Sequence, residues 1–253
     1  MKIFVINLDR DVQKYNDIQL AFKNYNLERF SGYLGKNYRN HPDVSPGAKL
    51  FATDSMIGIG LSHFNLWKKI VNEGISQALI LEDDVKPTGD FDKELVNTLK
   101  TLPDDYDICY LKCLTPFMTH YRDRLHSVNS ALYTQGYLLS INGAKKLLKE
   151  ISGIKFHIDF QVCMCLSKLN AYTVHPFILE TDYTDSSNST PPLFLRYLPD
   201  EFQWFMGLNW VQIPIVNIKI SIWKSLIILL LLISLYKNYS NYLLVVLLLI
   251  LYF

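Results

Sequence analysis

Neither sign of charge dominates this sequence: 25 lysines and arginines stand against 24 aspartates and glutamates, and no block of like charge runs through it. A surface that follows nucleic-acid phosphates leaves a basic patch or stripe, so nucleic acid is not expected as a partner. Cysteine is sparse. The four thiols, Cys109, Cys113, Cys163 and Cys165, are spaced CxxxC and CxC with no CxxC, which is not a usual zinc pattern and is too little for a disulfide scaffold. Such usage favours a reducing compartment. Cys109 sits in the apolar run DICYL, where a small buried thiol is an ordinary core occupant. The opening MKIFVINLDR is apolar but too short and too soon interrupted to act as a cleavable leader, so none is expected.

Within 253 residues there is room for one α/β domain with a sizeable core and something extra. Lys2 to Asn7 reads as a strand, and Val12, Tyr15, Ile18, Phe22 and Tyr25 recur behind it at helical spacing. Arg29 to Leu34 is a second strand, and Gly35 to Gly47 a loop. A helix capped by Ser62 is expected to bury Leu66, Trp67, Ile70 and Val71 before Gly74 stops it. Gln77 to Leu81 is continuously apolar, as in a strand buried on both faces. Asp107 to Leu111 and Thr134 to Ser140 are further strands, with a helix from Asn142. This alternation predicts a doubly wound α/β fold, a Rossmann-like, mostly parallel sheet flanked by helices, closed by an irregular polar segment from Asp182 to Pro192.

Polar side chains nearly vanish towards the C-terminus, where Ser225 to Tyr236 and Tyr242 to Phe253 flank a short KNYSN. The division expected is a domain over 1–212 and a membrane-anchoring hydrophobic tail over 213–253. A helix from Ile220 to Tyr236 would extend about 26 Å, barely a bilayer core, with Lys224 snorkelling at one end. A single anchor with an interfacial segment and a shallow helical hairpin both fit, and the alternative is a pair of core helices. With no leader, the simplest topology leaves the domain on the cytosolic side.

LILEDDV is the most informative stretch, because three consecutive carboxylates follow directly on a buried strand. In open α/β sheets the ligand crevice lies beyond the carboxyl ends of the strands, where Glu82, Asp83 and Asp84 emerge. A period of two aims Glu82 and Asp84 to one side and Asp83 to the other, so the outer pair can share a hard cation, Mn²⁺ or Mg²⁺. A solvated acidic turn is the plain alternative.

INLDR (Ile6 to Arg10), IGIGLSHFNLW (Ile57 to Trp67), ALILEDDV (Ala78 to Val85), TQGYLLSINGAKKLL (Thr134 to Leu148) and HIDFQV (His157 to Val162) occur in the order and spacing of glycosyltransferase family 25. Over roughly Lys2 to Thr190 the chain resembles the lipooligosaccharide-type and collagen-type galactosyltransferases of that family. The resemblance implies a GT-A-like fold, a nucleotide-sugar donor, usually UDP-galactose, a divalent metal, and inverting transfer to a hydroxyl of a glycan, glycolipid or hydroxylysine-type protein acceptor. It makes Asp84 the principal metal ligand, with Glu82 beside it, and puts Glu82 and Asp83 against the metal's waters or the donor. Asn7, Asp9 and Arg10 would lie beside the nucleotide, although Arg10 reads equally as a surface ion-pair partner. The chain departs from the family pattern at Asp11, in place of a second arginine, at Gly60, in place of cysteine, and in the loosely matching DSSNST.

Ser62 and His63 do not make a nucleophile pair, since adjacent side chains on a helix diverge by about 100°; shaping the donor pocket is their expected role. His175 is open between a metal ligand and a structural histidine. Asp159, matching the family's late aspartate, is expected to be the general base, with partial burial raising its pKa; capping a helix that begins near Phe160 is the alternative. Glu180, Asp182 and Asp185 stand behind it as candidates. Two other classes compete: a metal-dependent phosphoesterase, and a membrane-tethered glycan-binding or scaffolding protein without catalysis.

Overall fold

The computed structural model describes residues 1–115, 117–181, 209–213 and 218–236. The chain divides into two compact units, residues 1–49 with 54–185, and residues 50–53 with 186–253. Elements of the first are β1 (Lys2–Asn7), α1 (Val12–Ala21), β2 (Leu27–Ser31), α2 (Gly35–Tyr38), α3 (Pro46–Phe51, whose last residues belong to the second unit) and α4 (Asp54–Asn72). Then come β3 (Gln77–Glu82), β4 (Val85–Pro87), α5 (Phe91–Thr101), β5 (Ile108–Tyr110), β6 (Thr119–Arg122), β7 (Leu125–Ser127) and β8 (Gly136–Ser140). α6 (Ile141–Glu150), α7 (Ile158–Cys165), a 3-10 turn (Leu166–Lys168), β9 (Ala171–Val174) and β10 (Leu179–Thr181) follow. The second unit contains β11 (Asn209–Ile213), β12 (Ile218–Ser221) and α8 (Ile222–Tyr236).

The expected α/β sheet flanked by helices is present, as an eight-stranded mixed sheet in the order β2-β1-β3-β8-β5-β9-β7-β6. β1 is parallel to β2 and β3, and β5 to β9, while β8 lies antiparallel between β3 and β5. Hence β1, β2, β3, β5, β6 and β9 share one direction and only β7 and β8 oppose it. The consequence for function is geometric. The carboxyl ends of β1, β2, β3 and β5 and the entry into β8 all open on the same side of the sheet, and β10 pairs antiparallel with β4 there, Thr181 opposite Val85.

Burial explains the central strands. Phe4, Val5, Leu79, Ile80, Leu81, Leu138 and Leu139 are wholly inaccessible, covered on both faces, so their continuous apolar runs suit these positions. Cys109 is in this core, as its apolar setting predicted, and all four cysteines are free thiols. Leu66, Trp67 and Ile70 of α4 are fully buried.

Several boundaries differ from the sequence reading. α4 begins at Asp54, not at Ser62, because its apolar face extends back through Leu61, Ile57 and Met56, and Asp54 holds Arg39 at 2.5 Å in the first turn. Ser62 is therefore inside the helix, where its hydroxyl donates to the Gly58 carbonyl at 2.7 Å. The expected loop from Gly35 contains α2 and the start of α3. The tail helix starts at Ile222, because Ile220 pairs with Val211 in a β11–β12 hairpin that runs across the expected 212/213 boundary. Its 15 residues extend about 22 Å, short of a hydrocarbon core of about 30 Å. Among the described residues no helix is long and apolar enough to cross a membrane. Tyr242 to Phe253 and Asp182 to Pro192 lie outside the described residues.

α6 seats on the sheet through one close approach. A Cβ on Gly143 would stand 2.1 Å from the Asp107 carbonyl oxygen, in a helix start already fixed by the Ser140 hydroxyl accepting from the Gly143 N–H at 3.0 Å. Gly143→Ala is expected to cost about 1–3 kcal/mol, read as a lower denaturant midpoint with unchanged slope; an unchanged midpoint would mean that the contact is not a constraint.

Candidate functional site

Glu82 is the last residue of β3, and Asp83 and Asp84 form the turn into β4. The turn separates the three carboxylates. Asp83 accepts from the Asn7 side-chain amide at 2.6 Å, whereas Glu82 faces His63 Nε2 at 3.3 Å, so Asp83 does lie apart from its neighbour. Asn7 is held in turn by Arg29, whose Nε donates to its side-chain oxygen at 2.8 Å. The same guanidinium and the Ser31 hydroxyl both donate to Asp9 at 2.7 Å, which holds the Asp9 carboxyl below its ordinary value. Arg10 is exposed and its ion pair is with Asp11 at 3.5 Å, the surface alternative read from sequence.

A buried polar chain lies behind Glu82. Trp67 Nε1 donates to the Tyr137 hydroxyl at 2.8 Å, and that hydroxyl is 2.9 Å from His63 Nδ1. His63 is completely buried, and desolvation lowers its pKa to about 4, so the ring is neutral. With Glu82 ionised, Tyr137 donates to Nδ1 and the Nε2 hydrogen goes to Glu82. With Glu82 protonated, the opposite tautomer is required, Glu82 donating to Nε2 and Nδ1 to Tyr137, whose own hydrogen then points away from the ring. Both arrangements satisfy the ring. Ser62 diverges from His63 as expected, its oxygen accepting from the Tyr33 N–H at 2.9 Å.

Asp159 joins this network from α7. Its carboxylate accepts from the backbone N–H groups of Tyr133 and Thr134, both at 3.2 Å, and from the Thr134 hydroxyl at 2.7 Å, which lies 3.4 Å from Glu82. Asp159 does not cap its own helix. His157 does, accepting from the Asp159 N–H at 3.3 Å, because α7 begins at Ile158 rather than near Phe160. Tyr133 has φ 82, a strained backbone for a side chain of that size, and the Asp159 clamp holds it there. Three of about four lone-pair directions on the carboxylate are taken, leaving about one.

The acidic turn carries unresolved charge. Burial, then Asp159 and Asp83, raise the Glu82 pKa to about 8; burial, then Glu82 and Asp83, raise Asp84 to about 8. Lys14 on α1 opposes the shift at Asp83 and Asp84. Asp84 Oδ1 is buried with no hydrogen-bond partner among the described residues. An orphaned carboxylate oxygen beside a second carboxylate fits a hard cation that takes its other ligands from phosphate and water. Among the described residues no three His, Cys, Asp or Glu side chains gather into a metal-holding group, so these residues would contribute two carboxylates at most. His175 is exposed at the far edge of the sheet, its ring against His126 and Phe177. Glu180 is exposed, and Asp182 and Asp185 lie outside the described residues.

Every stretch that carried the resemblance thus delivers a side chain here: Asn7, His63 and Trp67, Glu82, Thr134 and Tyr137, and Asp159. Arg29, Ser31 and Lys14 were not foreseen, since nothing distinguishes them locally from surface residues.

Comparison with known proteins agrees. Residues 1–162 match the model of glycosyltransferase family 25 (LPS biosynthesis protein). The chain belongs to that family. It is 32% identical over 106 residues to procollagen galactosyltransferase 1 of Danio rerio, covering 38% of this chain and 18% of that protein. A glycosyltransferase 25 family member of Drosophila melanogaster is 28% identical over 58% of this chain and 27% of its own length. A probable inactive glycosyltransferase 25 family member 3 of Bos taurus is 31% identical over 38% of this chain and 18% of its own. The chain matches less than a third of the length of each of these relatives.

The raised carboxylates set a pH test. Between the ordinary glutamate value of 4.5 and about 8, the folded protein retains a proton on Glu82 that the unfolded chain has released, so this group lowers stability as pH rises through that window. In cation-free buffer, Glu82→Gln is expected to gain stability relative to wild type as pH is raised from 5 to about 8, followed by thermal midpoints. A constant difference across that range would sink the assignment.

Proposed function

We propose that this chain is a metal-dependent, inverting glycosyltransferase with a GT-A-like fold, moving a sugar, galactose from UDP-galactose by family precedent, to a hydroxyl of a glycan, glycolipid or hydroxylysine-type protein acceptor. The observation that carries the reading is the convergence of Glu82, the Asp84 oxygen that has no partner among the described residues, and Asp159 at one end of the sheet, the end where α/β folds hold nucleotides. Mn²⁺ or Mg²⁺, when bound by Asp84 and Glu82, would supply Lewis-acid stabilisation of the departing diphosphate. Asn7 and Asp9, braced by Arg29 and Ser31, form the nucleotide corner, and Asp83 is fixed against it. Ser62 ties α4 to Tyr33 and His63 holds Glu82, so both shape the donor pocket from behind.

Asp159 takes the proton of the acceptor hydroxyl as its oxygen attacks the anomeric carbon and the carbon–diphosphate bond breaks. It also clamps Tyr133 and Thr134, so its replacement has two effects. Asp159→Asn puts an amide N–H₂ where backbone donors need an acceptor and is expected to cost about 1–3 kcal/mol of stability. Thr134→Ala loosens the clamp while keeping the carboxylate. In an assay of metal-dependent sugar release from UDP-galactose and a panel of other nucleotide sugars, Asp84→Asn should abolish turnover, and Asp159→Asn should lose at least about a hundredfold where Thr134→Ala loses far less. Equal losses in the last two would reduce Asp159 to a structural role, and wild-type turnover in Asp84→Asn would remove the metal assignment.

The second unit supports membrane attachment by a helix lying on the bilayer rather than crossing it. Trp223, Ile227 and Leu231 are buried along one face of α8, while Leu226, Leu229, Leu230, Leu232 and Ile233 are each more than two-fifths exposed. Water is a poor solvent for such a face and lipid a good one, and Lys224, its ammonium 5.2 Å from the Trp223 ring, suits the headgroup level. The catalytic unit is then held at the cytosolic surface. The full chain should co-sediment with phosphatidylglycerol-containing vesicles, and Leu229→Gln with Leu232→Gln should release it; vesicle binding unaffected by that pair would overturn the attachment through α8.

A further inference from the structure

The ring of Tyr137 is ordinary strand packing: the residue is wholly buried in β8, opposite Ile80 of β3 and Tyr110 of β5. Its hydroxyl is not. A hydroxyl at that depth needs partners, and α4 supplies both from one face, because Trp67 follows His63 by four residues and so lies one turn along on the same side. Trp67 Nε1 stands 2.8 Å and His63 Nδ1 2.9 Å from the hydroxyl oxygen, and all three side chains are fully buried.

The chemistry of these partners gives the chain a direction. An indole nitrogen only donates, so the Tyr137 oxygen accepts from Trp67, and its own hydrogen is left with His63 Nδ1 as its acceptor among the described residues. A neutral ring that accepts at Nδ1 carries its hydrogen on Nε2, which stands 3.3 Å from Glu82 Oε1. The run from Trp67 through Tyr137 and His63 to Glu82 is the arrangement in which every hydrogen has an acceptor. The reverse tautomer leaves the Tyr137 hydrogen buried without one, a costly state for a hydroxyl. Thr134 also meets Glu82 on Oε1, at 3.4 Å, but its hydroxyl hydrogen goes to Asp159 at 2.7 Å. Oε2 forms no hydrogen bond among the described residues and is not a buried atom, and 19% of the side chain is exposed. The carboxylate is thus pinned from behind by one oxygen with the other turned outward, and its charge reaches Asp84.

We infer that Tyr137 is a positioning residue for cation binding: through the Nε2–H form of His63 it holds Glu82 Oε1 inward and leaves Oε2 free to share one divalent ion with the open Asp84 oxygen. The inference rests on the assignment of Glu82 and Asp84 to a metal, and goes beyond it by naming the buried hydroxyl that sets the geometry of the carboxylate without touching an ion. A carboxylate free to turn binds more weakly, because each binding event must first fix it.

Titration of Mn²⁺ into the full chain with UDP present, read from the electron paramagnetic resonance of the free ion, tests this. Tyr137→Phe keeps the ring and removes only the hydroxyl, and is expected to weaken Mn²⁺ affinity by about tenfold. In sugar release from UDP-galactose, the Mn²⁺ concentration for half-maximal turnover should rise by a larger factor than turnover at saturating Mn²⁺ falls, whereas a structural defect would lower the plateau alone. Equal Mn²⁺ affinity in wild type and folded Tyr137→Phe, or a loss confined to the plateau, overturns the role of Tyr137 and leaves the metal assignment standing. Failure of wild type to bind Mn²⁺ overturns both. Should thermal unfolding show that Tyr137→Phe does not fold, nitrogen-15 spectra of wild type with Mg²⁺ and UDP decide: His63 protonated on Nε2 supports the chain, and a proton on Nδ1 overturns it.

Discussion

Glu82 ends a strand whose preceding residues are fully buried, its own side chain is only 19% exposed, and Asp83 and Asp84 follow it immediately. Three acids in that position repel one another in a poorly solvated setting, and the rest of the site is arranged around that repulsion. Asp83 is turned towards Asn7. Glu82 is held by a histidine that stays neutral because it has no access to water. Asp84 keeps an oxygen with no partner among the described residues. Asp84 is the one of the three that leaves a buried oxygen open to a ligand, with Glu82 as the second carboxylate of the pair.

The neutral histidine has a further effect. Trp67 and Tyr137 fix the far nitrogen of His63, so the near nitrogen can either donate to Glu82 or accept from it, depending on where the Glu82 proton is. Loss of the Glu82 proton requires the other neutral tautomer of His63, with the Tyr137 hydroxyl donating to Nδ1. The charge state of the turn is thereby coupled to a helix, α4, whose buried face is otherwise core.

Much of this was legible in the sequence, and the limits of legibility are physical. A continuous apolar run followed by acids declares a strand end, and the order of five motifs declared the family. What sequence could not supply was partnership. Asp159 reads as a helix cap by position, but His157 takes that role and frees the carboxylate to reach across to Tyr133 and Thr134. Ser62 reads as a cap because a serine precedes an apolar stripe, but the stripe continues backwards to Met56. The antiparallel insertion of β8 was equally hidden, because a buried antiparallel strand and a buried parallel one carry the same apolar run.

That insertion is what assembles the site. Had β8 been parallel, its carboxyl end would open beside Glu82 and the motif TQGY would enter from the opposite edge of the sheet. Because it is reversed, Thr134 and Gln135 arrive just where β3 ends, and their neighbour Tyr133 is bent into a positive φ with its N–H on Asp159. Family membership alone would not establish that these parts work together, since a relative of comparable similarity is described as probably inactive. The stronger argument is that a strained backbone and a carboxylate oxygen with no partner among the described residues each lower stability on their own, and both meet at one end of one sheet.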